Sequence, residues 1–394
     1  MEWFGQLPQN WGVMPLWTLL CPRIHKNTEG QEQNLLSLSY GRIIRKDIET
    51  KTGLLPASFN GYNIIEAGDI VLRLTDLQND MRSLRSGLAK EHGIITSAYL
   101  SLKLVKDCQD TRYFHYLLHS FDLIKGFYNM GEGIRQNLNY DELSSLKLPL
   151  PPLDEQSRIA SYLDSQIAKI DDSIARYKAL SDKLDEYRKA VITKAVSKGE
   201  YIPIKHLVNY NQETLSESTD KDMIFDYVDI GSVSYEYGIE KRERMVFGSS
   251  PSRARRIVHP GDVIVSTVRT YLKAVAQIPE HEVPIIVSTG FIVMSANAKV
   301  SKEFLGYALK NEEFIWEVEK NSFGISYPAI NSGALVNIKI RIPSKPEQNE
   351  IVAYLDKRCS AIDSSKAKIE AIVKKLEEYK KSLIYNAVTG KIEC

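Results

Sequence analysis

A segment that occurs twice limits what this chain can become. From Glu155, EQSRIASYLDSQIAKIDDSIARYKALSDKLDEYRKAVITKAV aligns without a gap to EQNEIVAYLDKRCSAIDSSKAKIEAIVKKLEEYKKSLIYNAV from Glu347, with about 19 of 42 positions identical. Neither copy contains Gly or Pro. Pro149, Pro151 and Pro152 precede the first copy, and Pro343 and Pro346 precede the second. Asp154 and Pro346 hold matching places that suit a first helical turn. Gly199 and Gly390 follow the last periodic residues, where a helix ends most easily on a left-handed residue. Each copy therefore reads as one helix of ~40 residues, roughly 60 Å long at 1.5 Å per residue.

Apolar residues recur at spacings of three and four. The first copy shows Ile159, Leu163, Ile167, Ile170, Ile174, Tyr177, Leu180, Leu184, Tyr187, Val191 and Ala195. The second shows Ile351, Leu355, Cys359, Ile362, Ile369, Ile372, Leu376, Tyr379, Leu383 and Ala387, with Lys366 interrupting where the first has Ile174. So narrow a stripe on so long a helix is a coiled-coil seam, and the matched stripes predict that the two helices pair with each other. Antiparallel pairing relates two direct repeats by a pseudo-two-fold axis. It predicts one domain at each end of a rod, suited to two separated half-sites on duplex DNA. The alternative is two amphipathic helices, each packed on its own domain.

The regions flanking the helices share a weaker framework. IIEAGDIVLRLTD (64–76) matches IVHPGDVIVSTVR (257–269), each a Gly-Asp turn leading into a strand. GIITSAYLSLKL (93–104) matches PIIVSTGFIVMS (284–295) as a strand pair. Residues 113–128 and 302–320 are amphipathic and helical, each followed by a Gly-bearing loop, GEGIRQNL or SFGISYPAI. The predicted fold class is α+β: two globular mixed domains, 1–150 and 200–341, separated by helical spacers at 151–199 and 342–394.

The loops differ most between the two domains, and they carry Arg, Asn, Gln, Lys and Tyr. Arg with Asn or Gln can pair with guanine and adenine edges, while Lys, Ser and Tyr suit phosphates. The candidates in the first domain are Tyr40, Arg42, Arg73, Asn79, Arg82, Arg85, Arg135 and Gln136. In the second they are Lys241, Arg242, Arg253, Arg255, Arg256, Arg269, Tyr271, Lys273 and Tyr327, with Arg253–Arg256 the densest run. The formal net charge of +1 argues against a polycationic non-specific binder but leaves room for local basic patches.

Catalytic motifs are missing. No G-x-x-x-x-G-K-[ST] loop and no strand-borne G-x-G-x-x-G occurs, and no Asn/Asp-Pro-Pro-aromatic methyltransferase motif is found. His115 and His119 in HYLLH lack the Glu of a zincin and read as a helix-surface or core pair. Cys21, Cys108, Cys359 and Cys394 have no paired spacing, so neither a zinc site nor a disulfide framework is expected. The amino-terminal stretch lacks a basic signal-peptide region, and no apolar run approaches the roughly 20 residues of a membrane span. These observations predict a non-catalytic, metal-free, cytoplasmic chain.

The paired LPPLDEQSRIASYLD and IPSKPEQNEIVAYLD segments, the opening GQLPQNW and the stretch PSRARRIVHPGDVIVSTVR resemble the specificity subunit of type I restriction-modification systems. The likeness covers essentially the whole chain, although GQLPQNW has no clear counterpart before Tyr201. It implies two target-recognition domains, each reading half of a split asymmetric DNA target, on an antiparallel coiled coil. The implied partners are double-stranded DNA, two methyltransferase subunits docked on the helical spacers, and restriction-translocase subunits reached through the complex. S-adenosylmethionine, ATP and Mg would belong to those partners, with no cofactor in this chain.

Overall fold

The computed structural model describes residues 3–48, 58–78, 80, 83–106, 109–130 and 137–394. Its helices are α1 (Thr111–Leu123), α2 (Tyr140–Ser144), α3 (Leu153–Val196), α4 (Lys302–Ala308), α5 (Glu312–Lys320), α6 (Ser332–Leu335) and α7 (Lys345–Val388). Both repeat copies are thus continuous helices, α3 and α7, of 44 residues each. The chain divides into two units, Met1–Arg176 with Ala371–Cys394, and Tyr177–Glu370.

In the first unit an antiparallel four-stranded sheet runs Leu20–Pro22, Leu100–Leu104, Ile70–Leu72, Ser86–Leu88. Its apolar face meets α1, where Tyr113, Phe114, Leu117 and Leu118 are fully buried. Gly12–Pro15 pairs antiparallel with Lys147–Leu150, so the domain's two ends are zipped together just before α3 begins. The start of α3 and the end of α7 complete this core: Ile159, Leu163 and Ile170 cluster with Leu383, Ile384, Ala387 and Val388. The two helices therefore run antiparallel here, and Asp171 accepts from Lys380 at 2.7 Å across them.

The second unit repeats the plan. Val208–Tyr210, Phe291–Ala296, Val263–Ser266 and Val275–Gln277 form the corresponding four-stranded sheet. Glu200–Pro203 pairs with Lys339–Ile342 as the closing zipper before α7. Another sheet orders Glu243–Val246, Ile224–Val228, Ile285–Ser288 and Ala254–Val258, with the middle pair parallel. Here the end of α3 meets the start of α7, with Ile192, Val196, Leu355 and Cys359 in one cluster. Arg188 pairs with Asp363 and Asp185 with Lys366: three residues forward on α3 is three back on α7, again antiparallel. The second amphipathic segment, read as continuous over 302–320, is broken into α4 and α5. Asn311 caps α5 by accepting from Glu313 N at 3.1 Å, which ends the continuity at 309–311.

The Gly-Asp turns match atom for atom. Gly68 and Gly261 have φ of 97° and 92°, and the following aspartates accept from Glu66 N and His259 N, both at 2.8 Å. Such φ values favour glycine because it lacks a Cβ.

The seam differs from the apolar stripe in its middle. Leu163, Ile170, Leu355, Ile362, Ile369 and Leu383 are buried, and Ile167, Ile174, Val191 and Leu376 pack against the cores. Tyr177 and Leu184 are half-buried. Leu180, Tyr187, Ile372 and Tyr379 are exposed instead, at 46%, 45%, 36% and 55%. A heptad seam alternates steps of four and three. After Tyr177 the next step is four, to Ser181, then Leu184 and Arg188, so a reading that follows the apolar residues slips off by one. The corresponding places in α7 are Val373 and Lys380. Lys366, which interrupts the stripe in sequence, lies in the seam with only 6% exposure.

Candidate nucleic-acid interface

The residues identical between the repeats hold each domain onto its helix. Gln156 is buried in the first turn of α3, donates to Pro151 O at 2.8 Å and accepts from Asp110 N, beside the start of α1. Gln348 does the same on α7, donating to Pro343 O at 3.0 Å and accepting from Ser301 N, the cap of α4. Two turns on, Asp164 accepts from Tyr116 and Asp356 accepts from Tyr307, both at 2.6 Å. The E-Q-x-x-I-x-x-Y-L-D identity is thus a mounting that gives two dissimilar domains one seat.

In the second unit a ladder of backbone bonds ties four loop segments together. Thr289 N donates to Arg253 O at 2.8 Å, Thr267 N to Gly290 O at 2.7 Å, and Ile330 N to Thr267 O at 2.8 Å. From this frame project Arg269, Tyr271, Lys273 and Tyr327. Arg269 lies over the Tyr327 ring at 5.1 Å, and Lys273 is within 3.4 Å of Glu319. Tyr271 and Tyr327 are 52% and 66% exposed. Arg269 and Lys273 both take left-handed φ of 51°, bracketing a short helical turn at Thr270–Leu272.

The Arg253–Arg256 run is split. Arg253 is exposed, whereas Arg255 folds over the Phe247 ring at 4.9 Å and Arg256 is half-buried. Residues 254–258 form a strand with a register shift between Ala254 and Arg256, which breaks the regular alternation of side chains at Arg255. Lys241 and Arg242 are exposed, but Arg242 lines a separate cavity of about 350 Å³ with Glu303 and Asp356.

In the first unit Tyr40 sits at the tip of a hairpin, 84% exposed with φ of 46°. Arg42 beside it donates to Asp171 of α3 at 2.7 Å. This turn caps a cavity of about 460 Å³ lined by His115, His119, Lys90 and Lys380. Burial lowers the His115 pKa to about 4 and that of His119 to about 3, so both rings are neutral at pH 7. His119 is buried with Nδ1 3.0 Å from Ser86 Oγ, and His115 is half-buried with its ring 5.8 Å from that of His119. Among the described residues no three His, Cys, Asp or Glu side chains group as a metal site.

Arg85 is not on a reading surface: it is fully buried. Its guanidinium donates to Thr75 O at 2.9 Å and Tyr128 OH at 3.2 Å, and also to Asp80 O. It thereby braces the loop that Arg73 begins, and Arg73 is half-buried within 3.6 Å of Asp80. Asn79, Arg82, Arg135 and Gln136 lie outside the described residues, as does Cys108. Sequence reasoning missed Phe323 and Ile325, 83% and 103% exposed beside Tyr327. It also missed the holding roles of Gln156, Gln348, Asp164 and Asp356, although their identity between copies was the available signal.

Two like scaffolds with unlike loops, each fixed to a long helix, define a modular protein built from an internal repeat. The family described as the type I restriction modification DNA specificity domain matches residues 91–179 and 201–374, and the chain belongs to it. It is similar to the type I restriction enzyme MjaVIII specificity subunit of Methanocaldococcus jannaschii, 24% identical over 76% of this chain and 74% of that one. The EcoBI specificity subunit of Escherichia coli is 29% identical over 27% of this chain and 22% of its own length. Among solved structures, one from work on complex assembly and conformational transition of the type I R-M system has a TM-score of 0.73 at 15% identity, covering 98% of this chain and 100% of its own. The HsdS subunit of Thermoanaerobacter tengcongensis has a TM-score of 0.56 at 15% identity, covering 99% and 100%.

Proposed function

We propose that this chain is the non-catalytic subunit that chooses the DNA sequence for a type I restriction-modification complex, with each domain reading one half of a split target. The observation that carries this reading is the pair of equivalent seats, Gln156–Asp164 and Gln348–Asp356, under domains whose loops differ. Equivalent seats suit two identical partners, and unlike loops suit two different half-sites. The helical spacers dock two methyltransferase subunits, and restriction subunits join through them. S-adenosylmethionine, ATP and Mg act in those partners. The chain works in the cytoplasm; among the described residues no helix is long and apolar enough to cross a membrane.

Replacing residues 200–341 with the corresponding domain of another family member tests the reading. Mapping N6-methyladenine should show one half of the modified target changed and the other kept. A change in both halves, or in neither, overturns modular reading. A scaffold without DNA contact predicts no specific gel-shift retention, whereas DNA reading predicts retention that weakens as salt rises.

A further inference from the structure

We propose that the loop Ser322–Ala329 presents an apolar wedge, Ile325 with Phe323, that enters the base stack of bound duplex DNA and bends it; this rests on the DNA-reading function proposed above. Ile325 is 103% exposed and Phe323 83%, two residues apart on the loop that also carries the exposed Tyr327. Apolar side chains held in water gain nothing for folding, so their display asks for an occupant. The loop does not hold them out for want of structure. Phe323 and Ala329 exchange two backbone hydrogen bonds of 2.9 Å each. Thr270 Oγ1 donates to Ser322 Oγ at 2.9 Å, and Gly324 takes a φ of 111° that a side chain would resist. The loop is a braced turn with an aliphatic tip, and beside it Arg269 stacks on Tyr327, an exposed cation placed to meet phosphate.

Phe, Leu and Ile are the side chains that proteins insert between base steps, unstacking them and kinking the duplex. The repeat supplies a second argument. The corresponding loop of the first domain, GEGIRQNL, carries Gly133-Ile134 where this one carries Gly324-Ile325, though its other residues differ. Both loops end on the same anchor: Leu138 N donates to Leu74 O at 2.9 Å, and Ile330 N to Thr267 O at 2.8 Å. A feature shared by two domains that read different bases fits a task independent of base identity. Unstacking is such a task, and base readout is not.

The test uses the full chain assembled with its methyltransferase subunits and a target duplex, identified by N6-methyladenine mapping and labelled at both ends for energy transfer. Phe323→Ser and Ile325→Ser should leave the melting temperature and subunit assembly unchanged, because both side chains face solvent. Each should weaken target binding ~10-fold or more and abolish the change in end-to-end distance, since the wedge offsets the cost of unstacking a step. A single mismatch scanned through the half-site should at one step restore the variants' affinity to within ~3-fold of the parent, because that step is already unstacked. Variants that bend DNA like the parent overturn the wedge alone. So does a loss that no mismatch rescues, which would indicate a surface contact such as a thymine methyl, or a defect in subunit assembly. A parent complex without specific retention overturns the reading function and the wedge with it.

Discussion

Arg85 shows how far a residue's type is from its role. A buried guanidinium is tolerable only when its donors are met, and here backbone carbonyls and Tyr128 meet them. Arg85→Met should destabilise the protein by about 3 kcal/mol or more, read by urea unfolding, because it strands the acceptors it leaves behind. The neutral pair His115 and His119 makes a second prediction. An unfolded histidine binds a proton near pH 6.5, but these do so only near 4 and 3, so their stabilisation is full above pH 6.5 and lost as pH falls below it. Burial raises Asp122 to about 6, which acts the other way: its contribution is present below pH 3.8 and lost as pH rises through 6. Lys90 and Lys380 add to the cost of charging the histidines, while Asp164 and Asp171 line the same cavity. Between pH 6 and 4.5, His119→Gln should flatten the fall in stability by about 1.4 kcal/mol per pH unit, and urea midpoints across that range would read it.

At the scale of elements, the helices place charge inside the seam. Lys366 is 6% exposed and bound to Asp185, with its ammonium 5.1 Å from the Tyr237 ring centroid. Removing one partner of such a pair is costly, whereas replacing both with apolar residues is often neutral. Lys366→Met should cost about 2–4 kcal/mol, and Lys366→Met with Asp185→Leu should recover most of it, as thermal or urea unfolding will show. The register itself is testable in the same way. Leu163→Ala and Ile170→Ala should each cost about 2–5 kcal/mol, while Leu180→Ala and Tyr379→Ala should stay within about 0.5 kcal/mol. Equal losses at all four positions would restore the apolar stripe as the seam.

For the molecule as a whole, the two Gln–Asp seats are the parts that modular exchange must preserve. Gln348→Ala removes the acceptor of Ser301 N and the donor to Pro343 O, and should lower the unfolding midpoint of a swapped chain as much as that of the parent. A seat whose loss mattered in one context only would contradict the shared mounting. The repeat, the existence and ends of both long helices, the Gly-Asp turns and the family were all legible in the residues, because helix limits and tight turns depend on local chemistry: Pro and Gly at fixed places, and apolar spacing. What only the tertiary structure decided is what each polar side chain faces. Arg85, Arg255, Lys366 and Arg188 look in sequence like Arg253 and Arg269, yet they brace a loop, cover a ring or pair inside the seam. Phe323 and Ile325 look like core residues and stand in solvent. A side chain's surroundings are set by segments tens or hundreds of residues away, and a local pattern of spacing carries no record of them.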